Sequence, residues 1–143
     1  MTRADAHEFA RELLHAAHHV REQLAIENLP LKLRHVYALC YYTAQELRGR
    51  YPDVQIIIGD RETQRGLVQH HWLEFPDSGY YLDPAYDEFD PFQPVRVGLI
   101  TDESFTATYS NGQESGFSLD DPRDRPEIVY RERTAFDPET GPE

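Results

Sequence analysis

Apolar positions recur at helical spacing twice near the start of the chain and at strand spacing after it. Phe9, Leu13, Ala16, Ala17, Val20 and Leu24 make one helical stripe, with Asp5 and Glu8 as a start signal and Asn28-Leu29-Pro30 as a stop. A second helix is predicted from about His35 to Arg48, with Val36, Leu39, Cys40, Thr43 and Leu47 on its core-facing line and Gly49 beyond its end. Residues 54–58 are a β-branched run that reads as a buried strand, and the charged stretch 60–66 reads as a loop. His70-His71-Trp72-Leu73-Glu74-Phe75 and Tyr80-Tyr81-Leu82-Asp83 flank the turn Pro76-Asp77-Ser78-Gly79, which predicts a hairpin. Residues 95–100 and 105–109 read as further strands, Asn111-Gly112 as a turn, and 128–130 as a last edge strand. Helices first and strands afterwards predict an α+β fold, with N-terminal helices packed on an antiparallel β-sheet. The expected organisation is one domain over residues 1–135 and a disordered Pro-, Gly- and Glu-rich tail over 136–143.

The hairpin is where chemistry enters. A tight turn sets Trp72 opposite Asp83 and His70 diagonally across from it, on one face and roughly 7–8 Å apart between backbones. A carboxylate beside an imidazole fixes its tautomer and stabilises the imidazolium, which is the supporting half of a nucleophilic triad. The nucleophile would be Cys40, the single cysteine, on the second helix. Against this stands the fact that a free cysteine is among the most buried residue types and packs as a small hydrophobe. A metal site is the weaker alternative. Adjacent strand residues point to opposite faces, so His70 and His71 do not readily share an ion with Asp83. His15 and His19 are neighbours on the first helix, but no carboxylate or cysteine completes a ligand set there, and they read as a solvated polar face.

Composition narrows the function classes. Fourteen basic against twenty-six acidic residues give a net charge of −12, opposite in sign to what phosphate neutralisation needs, so no nucleic-acid partner is expected. The imbalance lies in the second part, since residues 1–50 carry seven basic and six acidic side chains. One cysteine excludes an intramolecular disulfide. No run is long and apolar enough for a membrane span, and the N-terminus lacks an apolar signal segment. A soluble, cytoplasmic protein without membrane partner is the expectation.

Cys40 opening Cys-Tyr-Tyr-Thr-Ala-Gln-Glu-Leu, then His70-x-Trp72-x-Glu74, then Leu82-Asp83-Pro84 resembles the transglutaminase-like branch of the papain-like cysteine enzymes over about residues 36–89. The resemblance implies a nucleophilic Cys40 on a helix packed against an antiparallel sheet, with His70 (not His71) and Asp83 supplied by adjacent strands. It implies a peptidase, deamidase, transamidase or other acyl transferase that works through a thioester, needs no cofactor or metal, and takes a protein or peptide amide as substrate. Substrate contacts would fall to Trp72, as a roof over the thiolate or else as core, and to Tyr86 in the acidic-aromatic loop 84–92. The competing function is a non-catalytic binding or assembly module that retains the fold with a buried Cys40. Ala38-Leu39 stand where family members often carry a glycine, and the apolar line from Val36 permits a helix continuous through Cys40.

Overall fold

In the computed structural model, which describes residues 2–24, 33–86 and 93–126, the chain opens with helix α1 (Arg3–Leu24). The helix begins at a capping box made by Thr2 and Asp5, one step ahead of the expected Asp5–Glu8 start signal. The Asp5 N–H donates to Thr2 Oγ1 at 3.1 Å, and the Thr2 N–H donates to Asp5 Oδ2 at 3.4 Å. The apolar stripe read from the sequence is the buried face, from Phe9 through Leu24. Helix α2 (Leu33–Leu47) runs unbroken through Cys40 and buries Val36, Leu39, Cys40, Thr43 and Leu47, with Ala38, Tyr41 and Ala44 beside them. The stop expected at Asn28-Leu29-Pro30 lies outside the described residues.

Among the described residues, five strands form one antiparallel sheet: β1 (Gln55–Thr63), β2 (Gly66–Phe75), β3 (Tyr80–Asp83), β4 (Arg96–Leu99) and β5 (Tyr109–Glu114). Their spatial order is β4-β3-β2-β1-β5. The fold class is α+β, as expected.

Three local readings are corrected. Residues 60–66, expected as a loop, carry β1 on to Thr63, which pairs with Gly66 across a two-residue turn into β2. Arg61 is buried there while Glu62 is exposed, so the stretch has strand periodicity once its arginine finds a partner. Residues 105–109, expected as a strand, lie mostly in helix α3 (Glu103–Thr108), which buries Phe105. Five residues are too few for periodicity to separate the two. Asn111-Gly112 is a bulge inside β5 and not a hairpin turn. Asn111 takes a left-handed φ of 55°, and the β1–β5 register slips between Ile58 and Asp60. Residues 128–130 and the tail from Phe136 lie outside the described residues.

The sheet is covered on both faces. On one, Leu73, Phe75, Ile56 and Leu82 join the apolar faces of α1 and α2, and His71 meets Tyr37 of α2. On the other, Ile57, Trp72 and Tyr81 pack with Phe105 and Tyr109. Because successive side chains of a strand alternate, His70 shares the α3 face with Trp72, and His71 shares the helix-pair face with Leu73. No helix among the described residues is long and apolar enough to cross a membrane.

Candidate functional site

The β2–β3 hairpin has the register read from the sequence. Ser78 and Gly79 N–H groups donate to Phe75 O at 3.1 and 2.9 Å, and Gly79 takes a left-handed φ of 77° that a glycine adopts without strain. Leu73 pairs with Leu82 and Glu74 with Tyr81, which sets Trp72 across from Asp83 and His70 on the diagonal. The two side chains meet: His70 Nε2 lies 2.8 Å from Asp83 Oδ2, with both residues at 0% exposure.

Asp83 is the centre of a larger buried network. Tyr109 Oη donates to Oδ2 at 2.6 Å, the Ala85 N–H donates to Oδ1 at 3.0 Å, and Arg61 Nη1 stands 3.9 Å from Oδ2. Burial pushes the Asp83 pKa up, but the charge of His70, hydrogen bonds from His70 and Tyr109, and the charge of Arg61 outweigh it and hold the carboxyl below its ordinary value. Arg61 also donates to Tyr86 O at 3.0 Å and lies 4.0 Å above the Tyr86 ring, while Arg96 donates to Tyr86 Oη at 2.6 Å. Arg21 of α1 reaches Pro84 O at 2.9 Å. The residues after β3 are thereby tied to the sheet and to α1. Tyr109, Arg61 and Arg96 carry no local signal for these roles; only an arginine at an inward-facing strand position hints at Arg61.

Cys40 is elsewhere. It is the eighth of fifteen residues in α2, beyond the first turn where the helix dipole could lower a thiol pKa. It packs in the cluster that holds Leu73 and Leu82, on the helix-pair side of the sheet, at 0% exposure. Burial, and then the negative charge of Asp83, push its pKa well up, so the thiol keeps its proton. The structure therefore brings His70 and Asp83 together and leaves Cys40 on the other face.

The two residues expected to contact substrate are inside as well, Trp72 in the core role that is its alternative. Trp72 is buried against Phe105 and Tyr109, and its indole N–H donates to Glu74 Oε2 at 2.9 Å. Tyr86 is buried between the two arginines. One cavity of about 360 Å³ is lined by Val20, Leu24, Tyr42, Glu46 and Arg125 among others, and one of about 500 Å³ lies beside the start of β1 and residues 114–120. Neither is lined by Cys40, His70 or Asp83. Comparison of the chain with protein-family models, with curated proteins and with solved structures returned no match.

Proposed function

We propose that this chain is a non-catalytic binding or assembly module whose helix and hairpin follow a transglutaminase-like plan, with Cys40 serving as packing. One observation carries the reading: Cys40 belongs to the helix-pair face of the sheet and His70 to the α3 face, and both are fully buried. A thiol in that place lies across the sheet from the His70–Asp83 pair, and its raised pKa speaks for the same role. The His70–Asp83 pair then fastens the hairpin to Tyr109 and Arg61. A net charge of −12 suits a basic or neutral protein partner, and a lone thiol suits a reducing compartment such as the cytoplasm.

The second reading is a cysteine-dependent acyl-transfer or amide-hydrolysing enzyme of transglutaminase-like type, acting on a protein or peptide amide. The His70–Asp83 hydrogen bond favours it, being the supporting half of a triad. In that mechanism His70 takes the Cys40 proton, the thiolate attacks the carbonyl, and the acyl group passes to water or an amine. It requires Cys40 to reach the His70 face.

Alkylation of the folded protein by iodoacetamide decides between them. The packing role predicts no labelling of Cys40 from pH 6 to pH 8 until denaturant is added. Labelling of the folded chain that persists at pH 6 and is lost in His70→Ala would establish the enzyme instead.

A further inference from the structure

After Ser115, whose N–H donates to Ile56 O at 2.9 Å, the chain leaves the sheet and crosses α2. Leu119 packs against the core beneath, and the polar attachments from there are made by side chains of that helix. Tyr41 Oη and Gln45 Nε2 donate to Leu119 O at 3.3 and 3.2 Å, and Tyr42 Oη donates to Pro126 O at 2.9 Å. Tyr37 Oη donates to Asp124 O, and Arg48 pairs with Asp120 at 2.6 Å. Ser118 N–H donates to Asp124 Oδ2 at 2.8 Å and closes the segment on itself. Beneath this crossing lies His71. Its ring is 5.5 Å from that of Tyr37 and 6.3 Å from that of Phe117, and these two rings are 4.5 Å apart. His71 is 4% exposed, and neither ring nitrogen has a hydrogen-bond partner among the described residues.

We propose that residues 115–126 form an acid-released strap over the tyrosine face of α2, with protonation of His71 as the trigger. An imidazolium under Tyr37 and Phe117 would be a buried charge with nothing to accept from it, and opening the strap is the shortest way to solvate it. The titratable groups around it offer no compensation. Tyr37 and Cys40 on α2 are both held protonated by burial, and Asp124 stands behind Tyr37. His70 is next along β2 with its ring on the other face; opposite on β1 stands Ile58. Burial, and then the neighbouring His70, hold the ring down to about 4 from 6.5 while the strap is closed.

The sign follows from linkage. The closed strap excludes the proton, so its stability is complete above the free value of about 6.5 and is lost as pH falls through about 4. The opening constant rises roughly tenfold per pH unit within that window, hence about thirtyfold at pH 5 relative to neutral pH. On the strap itself, hydrogen bonds from Arg123 hold the Asp121 carboxyl below its ordinary value. The inference does not depend on whether Cys40 is catalytic.

Hydrogen–deuterium exchange of the full chain at pH 7.5 and 5.0, corrected for intrinsic rates, tests it. Strap amides should lose protection about thirtyfold between the two pH values, while β1 and β2 amides change less than about threefold. In His71→Leu the strap should keep its protection at both. An NMR titration of the wild-type histidines keeps the test alive should that variant fold poorly, since His71 must titrate below pH 5. The proposal is overturned if His71→Leu loses strap protection like the wild type, or if strap and sheet lose it together. His71 titrating near 6.5 under an intact strap would overturn it equally.

Discussion

Asp83 accepts hydrogen bonds from a ring, a phenol and a backbone amide while wholly out of solvent, so each donor matters more than it would at the surface. Tyr109→Phe deletes one donor to a buried carboxylate and should cost about 1.5–3 kcal/mol in urea unfolding at pH 7. Asp83→Asn keeps the shape but removes the buried negative charge to which His70 and Tyr109 donate, and should cost about 3–5 kcal/mol. A loss below 1 kcal/mol in Asp83→Asn would mean the network is not a fastening. Because the folded carboxyl titrates below its ordinary 3.8, its contribution is present above about pH 4 and fades as pH falls through the lower folded value. The acid limb of the stability curve should therefore be shallower in Asp83→Asn than in wild type.

At the scale of elements, the β1–β5 pairing is shaped around one indole. A Cβ added at Gly59 would stand 2.6 Å from Trp72 Cη2 and 2.8 Å from Ser110 O, and one at Gly112 would stand 2.9 Å from Trp72 Cζ2. The bulge at Asn111 and the two glycines together let Trp72 lie against the backbone of both strands. Gly59→Ala should thus cost about 1–3 kcal/mol, the range for overpacking against atoms that cannot yield. Gly49→Ala is the control: nothing lies within 4 Å of its added methyl, and stability should move by no more than about 0.5 kcal/mol. Equal midpoints for the two variants in urea would show that the contact at Trp72 relaxes freely. Helix α2 makes the complementary point, for its apolar line runs straight through Cys40 and so places the thiol by packing.

For the molecule as a whole, one sheet separates two cores. Trp72, the only tryptophan, reports on the α3 side, and α1 and α2 dominate the far-ultraviolet signal on the other. Leu73 and Trp72 are consecutive on β2, so neither core can lose its sheet face without disturbing the other. Unfolding followed by Trp72 fluorescence and by circular dichroism should give coincident midpoints, as two-state behaviour requires. Separate midpoints would mean that the two sides open independently.

The sequence by itself determined what depends on short-range periodicity and turn chemistry. The stripe of α1, the core line of α2, the Pro76–Gly79 turn and the diagonal of His70 and Asp83 were all readable, because each is set within about fifteen residues by helical or strand repeat. What failed there were short or charged stretches whose state depends on remote partners. The 60–66 stretch is strand because Arg61 has Asp83 and Tyr86 to meet, and Asn111-Gly112 is a bulge because Trp72 and β1 lie against it. Only the tertiary structure decided on which side of the sheet Cys40 lies. Chain order brings Cys40, His70 and Asp83 into one sentence, but a helix packs on one face of a sheet, and a one-residue alternation on β2 sends His71 to that face and His70 away from it.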